Sequence, residues 1–266
     1  MRLYLNYFPI QKGKGLLLRN FVLPLLPSMD CEFELVLPGE AKISLKYRET
    51  IGWSSLLYGT FELAELEFVR SYLRPGSNVF DIGANVGIFS VLMSVALRQS
   101  GNVWAFEPEP TNVKRLKLNI ELNGVENVRI FSCALGEKDA HKMLQMSHDP
   151  AYPSLVKVEP GFSDGTDILV QMRTLDAVWD DGGKPHISFI KMDVEGSELQ
   201  VLKGASIFLK ECRPTMLIEA NTPEQLESLT KLLEGYGYEV IHPHGFVRHN
   251  YLFYHSSCAQ NVLRLI

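Results

Sequence analysis

Asn78-Val-Phe-Asp-Ile-Gly-Ala-Asn-Val-Gly-Ile-Phe-Ser90 is the stretch that most narrows what this chain can fold into. Val79 to Ile82 is a short apolar run carrying a carboxylate, Asp81, near its end, and a longer apolar run follows from Ile88 to Leu97. Gly83-Ala-Asn-Val-Gly87 lies between them. The pattern predicts a buried strand, a tight glycine turn and a buried helix. Glycine lacks a Cβ, so the backbone there can turn sharply and approach a ligand closely. The helix start also presents unpaired N–H groups and the positive end of a dipole. These features suit a turn that holds a nucleotide cofactor.

The flanking chain repeats the alternation. Val103–Phe106 reads as a strand and Thr111–Leu122 as a helix, which Asn123-Gly124 ends through its left-handed preference. Strand Val128–Ser132 leads into an excursion, residues 137–173, rich in Pro, Gly, Ser and Asp. Two strand-like pieces stand within it, Lys142–Met146 and Ile168–Met172, and it is expected to form a lid or substrate-facing insertion. Alternation resumes with strand Ile187–Met192, helix Ser197–Leu209, strand Thr215–Ala220 and helix Pro223–Tyr236, and strands Tyr238–Ile241 and Tyr251–His255 close the chain. Repeated βα units predict an α/β fold, a parallel sheet with helices on both faces and ligands at the carboxyl ends of its strands. Ahead of this core, Glu32–Leu37 and Lys42–Tyr47 flank Pro38-Gly39-Glu40, a hairpin with its turn chemistry in place. A helix follows through Tyr72. We therefore divide the chain into an N-terminal helix and β-hairpin extension, 1–58, and a main domain, 59–266.

Four strand ends carry groups with chemistry. The first turn is spaced Gly-x-x-x-Gly, not the Gly-x-Gly-x-x-Gly of dinucleotide sites, and Asp81 would repel a pyrophosphate. The same carboxylate can pair with the ammonium of a methionine moiety. S-adenosylmethionine carries that ammonium and no phosphate. Glu107 ends the second strand about 20 residues past the turn, where a carboxylate can accept hydrogen bonds from both ribose hydroxyls; alone it is equally a solvated acid before Pro108. Small residues in Cys133-Ala134-Leu135-Gly136 would let an adenine ring lie against the third strand's end. Asp193 and Glu195 follow the fourth strand and point the same way if the backbone stays extended, although acids before a helix are also favoured by its dipole. Lys191 alternates with Ile190 and Met192 and is expected to face away from them, as a surface charge.

Several strings carry a family resemblance: Phe80-Asp-Ile-Gly-Ala-Asn-Val-Gly87, Ala105-Phe-Glu-Pro108, Leu118-Asn-Ile-Glu-Leu-Asn123, Ala134-Leu-Gly136 and Lys191-Met-Asp-Val-Glu-Gly-Ser-Glu198. Leu202-Lys-Gly-Ala205 and Leu217-Ile-Glu219 continue it, so that it runs over roughly residues 59–220. In this order they closely resemble the FkbM-type methyltransferases. The resemblance implies a Rossmann-like, seven-stranded, mostly parallel methyltransferase sheet, S-adenosylmethionine as methyl donor, and O-methylation of sugars or hydroxylated natural products. Carried over residue by residue, Asp81, Gly83 and Asn85 would line the methionine end, Glu107 the ribose and Ala134 the adenine. Gly59 and Glu62 match a Gly-x-[Tyr/Phe]-Glu element that would close over the cofactor, while Glu62 also reads as an ordinary first-turn acid.

An alcohol acceptor must lose its proton, and a positioned base contributes roughly 10²–10⁴-fold. Asp193 and Glu195 are the candidates beside the donor, with Glu219, ending the fifth strand, the third. Such acids could instead hold a divalent cation, but no added His or Asp cluster accompanies them and no metal is expected. His148, Tyr152, His186, His242 and His244 fall in loops and carry no assigned role. The formal charge of −5 gives no general attraction to nucleic acid. The alternatives are an RNA methyltransferase, against which also stands the absence of an Asn-Pro-Pro-Tyr or Pro-Cys element, and a non-catalytic cofactor-binding scaffold. The expected partner is a small-molecule or glycan acceptor. Four scattered cysteines without a CxxC pair fit a reduced, cytoplasmic chain. Leu16 to Met29 is apolar but interrupted by Arg19, Pro24 and Pro27, shorter than the roughly 20 apolar residues of a membrane span, and lacks a convincing signal-peptide cleavage pattern. It suits a helix packed on the domain, or a docking contact in a homo-oligomer.

Overall fold

The computed structural model describes residues 31–47, 49–147 and 163–266. The expectations for Leu16–Met29, His148 and Tyr152 lie outside them. The hairpin is β1 (Glu32–Val36) and β2 (Lys42–Lys46), and the following helical stretch is two helices, α1 (Thr50–Tyr58) and α2 (Leu63–Tyr72). They part at Gly59 and Glu62, whose φ angles of 75° and 40° break the right-handed spiral. The core then runs β3 (Asn78–Ile82), α3 (Ile88–Ala96), β4 (Asn102–Phe106), α4 (Pro110–Leu122), β5 (Val128–Phe131), β6 (Ala134–Leu135), β7 (Ala140–Ser147) and β8 (Ser163–Arg173). It continues as α5 (Leu175–Asp181), β9 (Ile187–Met192), α6 (Glu198–Lys203), α7 (Ser206–Glu211), β10 (Thr215–Glu219), α8 (Pro223–Glu234), β11 (Tyr238–Ile241), β12 (Asn250–His255) and α9 (Ala259–Leu263).

Seven strands form the main sheet in the order β11-β12-β10-β9-β3-β4-β5. The pairs from β10 through β5 are parallel, and β12 runs antiparallel to both its neighbours. Because successive strand residues face opposite ways, the apolar runs supply two cores. Phe80, Trp104, Ile190 and Met216 pack on one face beneath α5, α6, α7 and α8. Val79, Val103, Phe189 and Leu217 pack on the other with α2, α3 and the hairpin residues Leu35, Ile43 and Leu45. Asn119 on α4 ties the hairpin to the glycine turn: its Oδ1 accepts from Ser44 N at 2.8 Å and its Nδ2 donates to Val86 O at 2.8 Å.

The two strand-like pieces of the insertion belong to β7 and β8, an antiparallel pair that forms a three-stranded sheet with β6. Two expected elements need correction. Strand Val128–Ser132 ends at Phe131, and the chain crosses to the smaller sheet as β6. Helix Ser197–Leu209 is two helices, broken at Gly204-Ala205, where a Cβ on Gly204 would fall 2.1 Å from Gly136 O. Helices α5 and α9, and the separation of α1 from α2, were not anticipated; Thr174 caps α5, its Oγ1 accepting from Ala177 N at 3.2 Å. Among the described residues, no helix is long and apolar enough to cross a membrane.

Candidate active site

The carboxyl ends of β3, β4, β9 and β10 open into a cavity of about 290 Å³. Nine residues singled out from the sequence line it, Glu62, Asp81, Gly83, Asn85, Glu107, Ala134, Asp193, Glu195 and Glu219, whereas Gly59 of the expected closing element does not. Its floor is the turn after β3. Gly83 N and Ala84 N donate to Phe106 O at 3.0 and 2.9 Å, and Asp193 N donates to Ile82 O at 2.9 Å, so β4 and β9 clamp the turn from both sides. Gly83 has φ 82°, and a Cβ there would lie 1.8 Å from Asp193 O. This glycine is required by the close approach of β9 as much as by a ligand.

Glu107 binds the turn to the next helix. Its Oε2 accepts from Asn85 N at 2.8 Å and its Oε1 from Glu109 N at 2.9 Å. Burial pushes its pKa up to about 7 against the pull of these two N–H groups. Asp81 is buried and accepts from Ser90 Oγ; burial raises it to about 6, while Ser90 and Lys191 oppose the shift. Ala134 is buried beside Cys133, whose thiol burial pushes up to about 11, far from a thiolate nucleophile.

Lys191 is not the surface charge expected of it. It does face away from Ile190 and Met192, but β9 is a central strand and α3 covers that face. Its side chain is 2% exposed, with Nζ 3.4 Å from Asp193 Oδ2 and 5.2 Å from the centre of the Phe89 ring. Burial opposes its charge, yet Asp193, Glu62, Glu219 and Asp81 outweigh that and hold its pKa above the ordinary lysine value.

Asp193, Glu195 and Glu219 bring carboxylate oxygens within 4.8 Å of one another. An extended backbone is not what brings them together. Strand β9 ends at Met192, and Glu195, at φ 51°, followed by Gly196, at φ 94°, folds the chain back. Glu198 holds this turn: its Oε1 accepts from Val194 N at 3.1 Å and Gly196 N at 3.2 Å, and its Oε2 from Gln225 Nε2 at 2.8 Å. Crowding has a predictable cost. Burial, then the neighbouring Asp193, pushes Glu195 up to about 8 and Glu219 up to about 10. Their charges interact, so the protons belong to the group rather than to single residues. Three such oxygens suit a hard divalent cation as well as a proton.

Glu62 overhangs the cavity from the α1–α2 link. Its Oε2 is buried without a hydrogen-bond partner, and burial raises its pKa to about 7 against the attraction of Lys191. Sequence reasoning missed Lys191, because a lone lysine in a strand carries no signal of what covers it. It also missed Glu65, a fully buried first-turn acid of α2 whose Oε1 accepts from Val247 N and from Asn250 Nδ2, the latter at 3.0 Å. That contact anchors the β11–β12 loop, which supplies Val247 to the cavity rim. Among the described residues, no histidine lines the cavity.

A family model described as the methyltransferase FkbM domain matches residues 81–240. The 31-O-demethyl-FK506 methyltransferase FkbM of Streptomyces tacrolimicus is 26% identical over 64% of this chain and 75% of its own. The hexuronic acid methyltransferase AglP of Haloferax volcanii is 26% identical over 64% of this chain and 67% of its own. Among solved structures, a methyltransferase FkbM from Methylobacillus flagellatus superposes with a TM-score of 0.51 at 22% identity, covering 76% of this chain. The chain spans 52% of that structure and 58% of a curated methyltransferase from Beauveria bassiana.

Proposed function

Because this chain belongs to the FkbM methyltransferase family, we propose that it transfers a methyl group from S-adenosylmethionine to a hydroxyl of a sugar, glycan or hydroxylated natural product. One observation carries the proposal: a glycine turn, the Glu107 carboxylate at the end of β4 and a cluster of acids all meet in a single cavity. Acids there suit a donor that brings an ammonium and a sulfonium and no phosphate. The names of the Streptomyces and Haloferax relatives, an acceptor written as an O-demethyl compound and a hexuronic acid, favour oxygen as the atom methylated and a polyhydroxylated molecule as its carrier.

In this assignment Asp81 and Glu62 would face the donor's ammonium, Gly83 and Asn85 would line its methionine end, Glu107 would receive the ribose hydroxyls, and Ala134 would pack near the adenine. Bound there, the donor would supply a methyl group on a positively charged sulfur, which would keep the electron pair of the broken carbon–sulfur bond and leave as the neutral thioether, while a carboxylate of this chain takes the acceptor's hydroxyl proton. Alignment is the protein's main contribution. Glu195 is the best-poised base, since burial and the neighbouring Asp193 raise its carboxylate above the ordinary range and make it readier to take a proton. Asp193 is the second candidate, held by Lys191. Glu219, pushed up to about 10, keeps its proton at neutral pH and serves better as a hydrogen-bond donor.

The test is an assay with isotopically labelled donor against nucleotide-sugars, glycans, hydroxylated natural products and total RNA, read by mass spectrometry. Label on a hydroxyl supports the proposal. Label in RNA would make the chain an RNA methyltransferase, and donor binding with no product across the panel would make it a scaffold. Repeating the assay in EDTA separates a carboxylate base from a divalent cation held by Asp193, Glu195 and Glu219. Unchanged turnover favours the base.

A further inference from the structure

We infer that Lys191 binds the α-carboxylate of the donor's methionine moiety and, with Asp81, forms a clamp across two strands for the amino-acid zwitterion. The inference rests on the proposed donor and adds to it. S-adenosylmethionine presents three charged groups, a sulfonium, an ammonium and a carboxylate. Six acids stand in the cavity wall, Glu62, Asp81, Glu107, Asp193, Glu195 and Glu219, and those that are ionised attract the first two and repel the third. A carboxylate taken out of water among them needs a cation. Among the described residues, Lys191 is the one basic side chain lining the cavity.

Its placement fits the ligand. The ammonium and carboxylate of an amino acid sit on one carbon, so the groups that receive them must be neighbours. Asp81 and Lys191 are register partners on the parallel strands β3 and β9, which lie about 4.8 Å apart and aim paired side chains at the same face. Asp81 is oriented by Ser90. The lysine ammonium has three donor hydrogens, and one goes to Asp193 Oδ2 at 3.4 Å. Phe89 closes the other side, which keeps the ammonium at the cavity floor rather than in bulk water.

Titration calorimetry with S-adenosylmethionine and with decarboxylated S-adenosylmethionine tests this on the intact chain. An acidic cavity with no carboxylate receptor should prefer the decarboxylated compound, which has lost its one negative group. With Lys191 as receptor the preference reverses. Wild type should bind S-adenosylmethionine tighter by roughly 10- to 100-fold, the span of a hydrogen bond between charged partners. Lys191→Met should erase that ratio, and Lys191→Arg should restore part of it. Equal binding of the two compounds by wild type, or a Lys191→Met protein that binds both more weakly with the ratio intact, would overturn the inference and leave Lys191 as a counter-ion to the acids. If Lys191→Met does not fold, Lys191→Gln takes its place with the same two outcomes. Binding of neither compound by wild type would instead overturn the donor assignment, and this inference with it.

Discussion

Three residues make the account testable one at a time. Glu195→Gln should retain donor affinity and slow turnover by roughly 10²–10⁴-fold, the range for loss of a general base; full turnover would remove Glu195 from the mechanism. Glu219→Gln should cost much less, because a carboxyl that holds its proton to about 10 is already close to an amide in charge and shape. The same shifts set a pH profile. A base must be ionised to act, so kcat/KM should rise with pH and reach half its plateau near 8 if Glu195 is the base. Gly83→Ala combines a positive φ of 82° with a Cβ 1.8 Å from Asp193 O, and should lower stability by about 2 kcal/mol or more in urea titration. At this scale the positions of Asp81, Glu107, Asp193 and Glu219 were legible, since each ends an apolar run where a parallel sheet places its ligands. Lys191 was misplaced because alternation says which face a side chain takes and not whether a helix covers that face.

Elements were legible where periodicity and punctuation agreed. The apolar run Ile88–Leu97 after a glycine turn became α3, a helix with nearly every residue buried, and Asn123-Gly124 ended α4 at Leu122. Where a helix breaks for a tertiary reason, no local signal announced it: Gly204 divides α6 from α7 because the backbone of Gly136 lies against it. The short β6 is similar, a two-residue strand that exists only because β8 passes beside it. Asn119 makes a prediction at this level. Its side chain joins β2 to the glycine turn from a buried position, so Asn119→Ala leaves Ser44 N and Val86 O without partners. Loss of about 1–3 kcal/mol is expected, with hydrogen exchange faster in the hairpin and the turn together. Faster exchange in the hairpin alone would show that Asn119 does not link them.

Across the whole molecule, the acids at the crest of the sheet work against the folded state when no cation is bound. Glu62 and Glu107 rise from 4.5 to about 7, Glu195 from 4.5 to about 8, Glu219 from 4.5 to about 10, and Asp81 from 3.8 to about 6. The folded chain therefore holds protons that the unfolded chain has already released, and stability present at pH 4–5 is lost as pH rises through 6 to 10. The upward shift of Lys191 acts only above its ordinary value of 10.5 and leaves this window unchanged. Thermal melts of the ligand-free protein should fall from pH 5 to 9, and S-adenosylmethionine should flatten the slope by supplying the missing positive charge. The sheet order and the meeting of its strand ends explain why residues from 81 to 219 in sequence line one cavity; how tightly they crowd lay outside what spacing alone could tell. The most direct test is calorimetry of the wild-type chain with S-adenosylmethionine, its demethylated product and a nicotinamide dinucleotide. Saturable heat with the first two and none with the third is predicted, and heat with the dinucleotide alone would contradict a site built to hold a cationic methyl donor.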